Sequence, residues 1–410
     1  MTFTKFLICR ECGSEFPISP INVCDYCFGP LDVEYDFEKI RQVISRKRIT
    51  DGPLSIWRYK DLLPTSSECV VDLQAGFTPL LHAKNLGKIL GLDNLYLKND
   101  SVNPSYSFKD RVVSVAATKA KEFNMDTLAC ASTGNLAGSV GAHAARGGMR
   151  GIVFIPSNLE KGKIIGAAIY GATLISVNGT YDDVNRLCSE IADNYKWAFV
   201  NINMRPYYAE GSKTLGFEVA EQFGWQTPDH AVVPTASGAL YTKIWKGFEE
   251  FYDLGLLNGK VATHMHLAQA EGCSPIVSAW RENSPQIIPV KPNTVAHSLA
   301  IGNPADGIYA LKLIKKSDGS AIAVPEGEIS EGIKLLAETE GIFTETAGGV
   351  VISSLKTLVK EKRIKKAESV IAFITGNGFK TQEIVESVVN PIEISPTFSD
   401  FENIYNQSIK

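Results

Sequence analysis

Lys109 is the residue whose type and setting best suit covalent chemistry. In the segment NPSYSFKDRVV it lies where a polar turn containing Pro104 meets the start of an apolar helix. An uncharged lysine amine can attack a carbonyl carbon and can afterwards act as a base. Partial burial beside a helix N-terminus, together with a nearby cation such as Arg111, would favour the uncharged form. Taken alone, however, a lysine at such a point is usually a solvated surface charge.

Two segments could bind anions through backbone N–H groups. The turn Ser132-Thr133-Gly134-Asn135 follows an apolar stretch and opens a helix, which suits an amino-acid carboxylate. The second segment lies between a predicted strand and a predicted helix, and its small residues let the backbone approach a phosphate closely. It comprises Thr235, Ala236, Ser237, Gly238, Ala239 and Leu240. An ordinary helix cap and an ordinary turn remain the alternatives.

Four of the eight cysteines form two CxxC pairs, Cys9 with Cys12 and Cys24 with Cys27. Four thiolates on two facing turns match the tetrahedral coordination that Zn²⁺ prefers, so a structural zinc site is predicted, with a metal-free knuckle as the alternative. The only basic cluster nearby, between Arg41 and Arg48, is modest. A docking or capping role is therefore favoured over nucleic-acid binding.

The elements that must position these residues follow from the pattern of apolar residues. From Asn94 onward, short strand-like runs such as LACA, GIVFIP, HAVVPT and SVIAFIT alternate with helix-like stretches such as NLAGSVGAHAA and LYTKIWKGFEEFY. This alternation predicts α/β layers with parallel sheets, and a second sheet is expected from WAFVNI onward. Residues 1 to about 35 are too short for a core of their own and are predicted to form an appendage. The tail after Pro391 has no clear period and is expected to contact a partner surface.

Composition limits the class of partner. The 410 residues are 44% hydrophobic and 21% charged, enough for two domains with a large core, and the formal net charge is -4. Acidic and basic residues are mixed along the chain, so no basic field favours nucleic acid or a membrane surface, and a small-molecule partner is expected. No run of 18 apolar residues occurs, and the first residues lack the pattern of a secretory signal. A cytoplasmic enzyme in a reducing compartment is expected.

Several motifs together resemble one enzyme family. SFKDR after an Asn-Pro turn is similar to the cofactor-lysine motif of the pyridoxal phosphate (PLP) enzymes related to the tryptophan synthase β-chain, and specifically of the threonine synthases. GFTPL, ASTGNLAG, PTASGALYTKIWKG, AIGNPADG, ETAGGV and ITGNGFKT follow in the family's order, from about residue 70 to residue 385. The resemblance implies PLP fold type II and a homodimer. It implies a large PLP-binding domain of residues 61–110 with 216–390, a small domain of 111–215, an N-terminal appendage of 1–60 and a tail of 391–410.

The resemblance also implies roles for individual residues. Lys109 would carry the cofactor, Asn135 would bond its 3′-oxygen, and residues 236–240 would hold its phosphate. The hydroxyl of Thr375 would meet the pyridine nitrogen; a neutral partner there suits elimination and replacement. Ser132 and Thr133 would hold the substrate carboxylate. A second anion pocket for a substrate phosphate would use two cations, Arg205 and Lys213.

The activity implied by the resemblance is the conversion of O-phospho-L-homoserine and water to L-threonine and phosphate. Lys109 would take the Cα proton and move protons between carbons, and the departing phosphate would assist water addition at Cβ. Two other readings remain open at this stage. A serine or threonine dehydratase, or a cysteate synthase, would need the same lysine and loops, whereas an inactive zinc-ribbon binding protein would need none of them.

Overall fold

Strands and helices alternate through most of the protein. The computed structural model describes residues 3–66, 68, 70–132, 134–157, 161–179, 181–388 and 391–406. In chain order the strands are β1 (Thr4–Cys9), β2 (Glu15–Phe16), β3 (Leu31–Tyr35), β4 (Leu80–His82), β5 (Asn94–Asn99), β6 (Thr127–Ala131), β7 (Arg150–Pro156), β8 (Thr173–Val177), β9 (Ala198–Phe199), β10 (His230–Pro234), β11 (His264–Ala270), β12 (Ala321–Val324) and β13 (Ser369–Ile374).

The helices pack between and around these strands. In chain order the α-helices are α1 (Phe37–Val43), α2 (Arg46–Thr50), α3 (Lys84–Leu90), α4 (Lys109–Glu122), α5 (Asn135–Gly147), α6 (Lys161–Ala168), α7 (Tyr181–Asn194), α8 (Arg205–Gln222), α9 (Ala239–Asp253), α10 (Pro275–Arg281), α11 (Gly307–Lys316), α12 (Glu326–Glu340), α13 (Thr346–Lys360) and α14 (Phe398–Ile404). Short 3₁₀ helices span Ile56–Leu62, Asp100–Val102, Glu271–Cys273, His297–Leu299, Gly378–Lys380 and Gln382–Val388.

Two parallel-rich sheets confirm the α/β layers predicted from the sequence. The larger has the order β12-β11-β10-β13-β5-β4 and is parallel except for β4, which runs antiparallel to β5. The smaller is parallel, with the order β8-β7-β6-β9. The expectation that a second sheet starts with WAFVNI is wrong in detail, because β9 pairs with β6 in the smaller sheet while the earlier β5 pairs with β13 in the larger.

Each large sheet is covered on both faces, because successive side chains along a strand point to opposite sides. In β10, Ala231 and Val233 pack into a core shared with α4, α8 and α9, whereas Val232 packs into a core shared with α12 and α13. In β6, Ala129 faces Val184 and other residues of α7. The central strands β6 and β10 are therefore fully buried, and their ends are the natural place for a site.

The domain boundaries proposed from the resemblance remain predictions. A boundary at residue 110 would lie within α4, and one at residue 215 would lie within α8. Both helices contribute to one continuous core, so the two sheets are joined by shared helices.

The N-terminal residues pack directly on the main core. β1 pairs antiparallel with both β2 and β3, and Leu31, Val33 and Tyr35 are buried along one face of β3. The Tyr35 hydroxyl donates a hydrogen bond of 2.9 Å to Glu210 of α8. At the other end of the chain, α14 has no buried residues. Among the described residues, no helix is both long enough and apolar enough to cross a membrane.

Glycines allow unusually close packing between the helices that flank the larger sheet. A β-carbon on Gly211 of α8 would collide with the backbone of α4 at Arg111. Further along α8, a β-carbon on Gly216 would collide with the backbone of α9 at Ile244, and one on Gly247 of α9 would collide with α8. The glycines thus let α8 lie directly against α4 on one side and α9 on the other.

Candidate active site

A cavity of about 1090 Å³ lies between the two parallel sheets, at the carboxyl ends of β6, β10 and β13. Open α/β sheets typically bind ligands at this edge. Sequence-predicted residues that line it are Lys109, Ser132, Asn135, Arg205, Ala236, Ser237, Gly238, Ala239, Leu240 and Thr375. Thr133 lies outside the described residues.

Lys109 begins α4 and extends into this cavity half-buried. Its Nζ donates a hydrogen bond of 3.0 Å to the hydroxyl of Tyr208, and it lies 4.5 Å from the centroid of the Phe108 ring. The preceding turn is attached to the end of β13, because the backbone N–H of Phe108 donates to the carbonyl of Thr375 at 3.0 Å. This hydrogen bond therefore fixes the position of Lys109 relative to Thr375.

Arg111 does not act as a free cation beside the lysine, contrary to the expectation from the sequence. It is fully buried, with Nε 2.6 Å from Asp100 and Nη1 2.5 Å from Glu218. Glu218 in turn accepts a hydrogen bond from the N–H of Phe77 at 2.6 Å. The charge of Arg111 is thus compensated by two carboxylates. Through Glu218, Arg111 also stabilises the GFTPL turn.

The turn after β6 is anchored by contacts that the sequence did not reveal. The Ser132 hydroxyl accepts a hydrogen bond of 3.2 Å from the N–H of Gly134. The Asn135 side-chain N–H₂ group donates to both carboxylate oxygens of Glu345, at 3.0 and 2.8 Å. Its oxygen accepts from Nζ of Lys380 at 3.0 Å. These contacts fix the orientation of the Asn135 amide.

Glu345 and Lys380 are therefore site residues that sequence reasoning missed. Both line the cavity, and burial lowers the pKa of Lys380 while the charge of Glu345 opposes that shift. They belong to the segments ETAGGV and ITGNGFKT, which were already recognised as motifs. Tyr208 was missed as well, although it lies three positions after Arg205, on the same face of α8.

The loop after β10 lines the cavity and leads directly into α9. Gly238 caps α9 with φ +96°, and a β-carbon there would lie 2.7 Å from the backbone oxygen of Asp306. The first N–H groups of α9 have no intrahelical acceptor, since an α-helix leaves its first turn unpaired. They face the cavity end of the sheet, where a phosphate group would be stabilised by the helix dipole.

The structure brings only one of the two predicted substrate cations to the cavity. Arg205 lines it and lies 2.5 Å from Oδ2 of Asp306. The side chain of Lys213 is fully buried elsewhere, 2.6 Å from Glu210 and 2.9 Å from Glu250. Its amine is therefore bound by two buried carboxylates and does not reach the cavity, which Lys213 does not line. The substrate-binding expectation for Lys213 is corrected accordingly.

The four N-terminal cysteines form a separate cluster. All four sulfur atoms lie within 4.8 Å of one another. Cys9 lies 3.4 Å from Cys27, and Cys12 lies 3.6 Å from Cys24. Four convergent thiols of this kind match the donor set of a tetrahedral zinc site.

Comparison with known proteins gives consistent matches. The model of the family described as "Pyridoxal-phosphate dependent enzyme" matches residues 71–376. A threonine synthase of Methanocaldococcus jannaschii is 38% identical over 390 residues, covering 94% of this chain and 96% of that one. A threonine synthase of Methanosarcina acetivorans is 38% identical over 385 residues, covering 93% of this chain and 94% of the other.

Solved structures of more distant proteins share the fold. Diaminopropionate ammonia lyase of Escherichia coli aligns with a TM-score of 0.65 at 18% identity, covering 78% of this chain and 88% of that one. Threonine deaminase isoform 2 of Solanum lycopersicum aligns with a TM-score of 0.62 at 19% identity, covering 75% and 87%. At this level of identity the likeness concerns the fold alone.

Proposed function

The chain belongs to the pyridoxal-phosphate-dependent enzymes and, within them, to the threonine synthases, and we propose that it converts O-phospho-L-homoserine and water to L-threonine and phosphate. The observation that carries this proposal is a single cavity that contains Lys109, the backbone anion site of residues 236–240 and the guanidinium of Arg205. One anion site suits the cofactor phosphate, and the arginine suits a second phosphate on the substrate.

The residues of the cavity fit PLP. In the proposal Lys109 carries the cofactor, and residues 236–240 hold its phosphate through backbone N–H groups, where only glycine fits at position 238. Asn135, which lines the cavity, would hydrogen-bond its 3′-oxygen, and the buried hydroxyl of Thr375 would bind its ring nitrogen. When bound, PLP supplies an electron sink that stabilises negative charge on the adjoining carbon atoms.

Proton transfer and substrate binding would be carried out by residues of the chain. Lys109, once its amine is free, takes the proton from Cα of the substrate and returns protons to the carbon skeleton, while the hydroxyl of Tyr208 holds Nζ in position. Ser132 and the N-terminus of α5 bind the substrate carboxylate. Arg205 binds the phosphate group before and after the Cγ–O bond breaks, and a water oxygen is added at Cβ.

A product assay tests this proposal. Purified protein loaded with PLP is incubated separately with O-phospho-L-homoserine, L-serine and L-threonine. We expect equal amounts of phosphate and threonine from the first substrate, because one C–O bond breaks for each water molecule added. Keto-acid release from serine or threonine, without threonine formation from O-phospho-L-homoserine, would instead identify a dehydratase.

We also propose that the four-cysteine cluster binds one structural Zn²⁺ ion. Elemental analysis of purified protein is expected to find about one zinc per chain, since four thiolate ligands close a tetrahedral site. Cys24→Ser should remove the metal and lower the thermal midpoint, because zinc binding contributes to folding. Cys273→Ala, a change at a buried cysteine outside the cluster, is the matched control and should keep the metal. The site would be refuted if wild-type protein contained no zinc and its thermal midpoint did not change when zinc was added.

We also propose that the protein is a homodimer and acts in the cytoplasm. The thiols of Cys130, Cys188 and Cys273 are free and buried, which accords with a reducing compartment. The homodimer is proposed from the family resemblance, and the molar mass of purified protein in solution tests it.

A further inference from the structure

The first cysteine turn contacts the edge of the cavity through one arginine. Arg10 lies between the metal-binding candidates Cys9 and Cys12, and its Nη1 is 2.7 Å from Oδ1 of Asp306. The other oxygen of the same carboxylate, Oδ2, is 2.5 Å from Nη2 of Arg205. Asp306 therefore binds two guanidinium groups at once, one from the N-terminal sheet and one from the cavity wall.

Arg10 is held firmly in this position by its neighbours. Its guanidinium carbon lies 3.5 Å from the centroid of the Tyr309 ring, a cation–π contact. The Tyr309 hydroxyl donates a hydrogen bond to Glu11, the next residue of the same cysteine turn. The backbone N–H of Arg10 donates to Pro30 at 3.0 Å, beside the second cysteine turn. The fold around the four cysteines thus sets where the Arg10 charge lies.

Asp306 also contacts the backbone anion site. Its N–H donates a hydrogen bond of 2.8 Å to the carbonyl of Ser237, and its own carbonyl packs against Gly238. Only 7% of its side chain is exposed, so its charge is poorly screened by water. A change in the charge of Asp306 or of its partners will therefore change the electrostatic potential in the cavity.

Arg10 shares the Asp306 carboxylate with Arg205, so this carboxylate cannot fully neutralise both guanidinium groups. Arg205 and Asp306 alone form a neutral pair, which attracts a phosphate weakly. With Arg10 on Oδ1, Asp306 neutralises Arg205 only in part, while Glu11 balances part of the Arg10 charge on the side of the cysteine turn. The loss of one positive charge near a bound anion in a partly buried setting is expected to weaken anion binding about tenfold.

We propose that Arg10 is a positioning residue that keeps Arg205 available for the substrate phosphate, coupling the four-cysteine turn to the active site. The inference rests on the proposed function, because it assumes that Arg205 binds the phosphate group of the substrate. Arg10 itself does not touch substrate; it acts by balancing Asp306.

The test measures phosphate binding independently of turnover. Inorganic phosphate is titrated by calorimetry into the PLP- and zinc-loaded protein, and KM and kcat for O-phospho-L-homoserine are measured in parallel. Arg10→Gln should weaken phosphate binding and raise KM about tenfold, with kcat changed less than about twofold. Arg10→Lys keeps the charge and should stay near wild type. Arg10→Gln combined with Asp306→Asn should recover binding, because Arg205 is then no longer neutralised.

One control separates this mechanism from a general effect of losing a positive charge. Arg48→Gln removes one positive charge from a surface pair with Asp61, also in the N-terminal region, and should leave phosphate binding unchanged. The proposal is overturned if Arg10→Gln binds phosphate like wild type, if Arg48→Gln loses as much, or if the Asp306→Asn change fails to restore binding. A protein that makes no threonine but shows this binding pattern would disprove the proposed function alone.

Discussion

Replacing Lys109 with alanine is expected to lower threonine formation by about 10³-fold or more. A positioned base contributes about 10²–10⁴-fold to such reactions, and the covalent attachment of the cofactor is lost with the same amine. The variant should also lose the visible absorption of lysine-bound cofactor. In wild-type protein, borohydride reduction followed by peptide mapping should label the peptide that contains Lys109, and in the variant it should not.

Lys121→Ala is the matched control for this experiment. Lys121 is exposed near the end of the same helix α4, so the change should leave activity, colour and labelling intact. A wild-type protein that stays colourless with PLP, and whose Lys109 is never labelled, would contradict the enzyme assignment. It would favour a catalytically inactive zinc-ribbon binding protein instead.

Arg111→Met is expected to have the largest effect on stability, lowering the free energy of unfolding by about 3–5 kcal/mol. The change leaves the carboxylates of Asp100 and Glu218 buried without their main partner. Lys98, whose Nζ lies 2.7 Å from Glu218, can compensate only one of them. Urea unfolding measures the effect. Arg150→Met, which breaks an exposed pair with Asp126, serves as the control and should cause no measurable change.

The same network sets a pH dependence. Burial opposes the charge of Glu218, but Arg111 and Lys98 outweigh it and lower the pKa of Glu218 to about 2. Because this pKa is below the ordinary glutamate value of 4.5, the stabilisation is present above about pH 4.5 and is lost as the pH falls toward 2. In Arg111→Met the stabilising contribution of ionised Glu218 should be smaller. The free energy of unfolding should therefore fall less than in wild type as the pH is lowered from 4.5 to 2. Equal stability of variant and wild type at neutral pH would show that the network is not needed.

The sequence predicted best those residues that follow a buried strand directly. Ser132 comes after β6, residues 235–240 come after β10, and Thr375 comes after β13. Strand ends and helix starts leave local signals in apolar runs and small residues, and parallel strands bring their carboxyl ends to one edge. For that reason the cavity lining could be inferred without knowing the order of the strands.

Residues whose roles depend on helix rotation or on distant partners could not be inferred in this way. Lys213 was assigned to the substrate because the family resemblance places its segment beside the substrate. However, α8 is buried along most of its length, and its apolar pattern does not reveal which face meets the cavity. Arg111 was taken for a free cation because its partner Glu218 lies far along the chain. The contact of Arg10 with Asp306 spans an even longer separation and leaves no local signal.

The glycines between α4, α8 and α9 have a consequence for the geometry of the cavity. These three helices begin at Lys109, Arg205 and Ala239, so these three positions at the cavity belong to one closely packed block. Such a block resists internal sliding, because any relative shift would drive backbone into backbone. The spacing of the three helix starts is therefore expected to stay the same whether or not a ligand occupies the cavity.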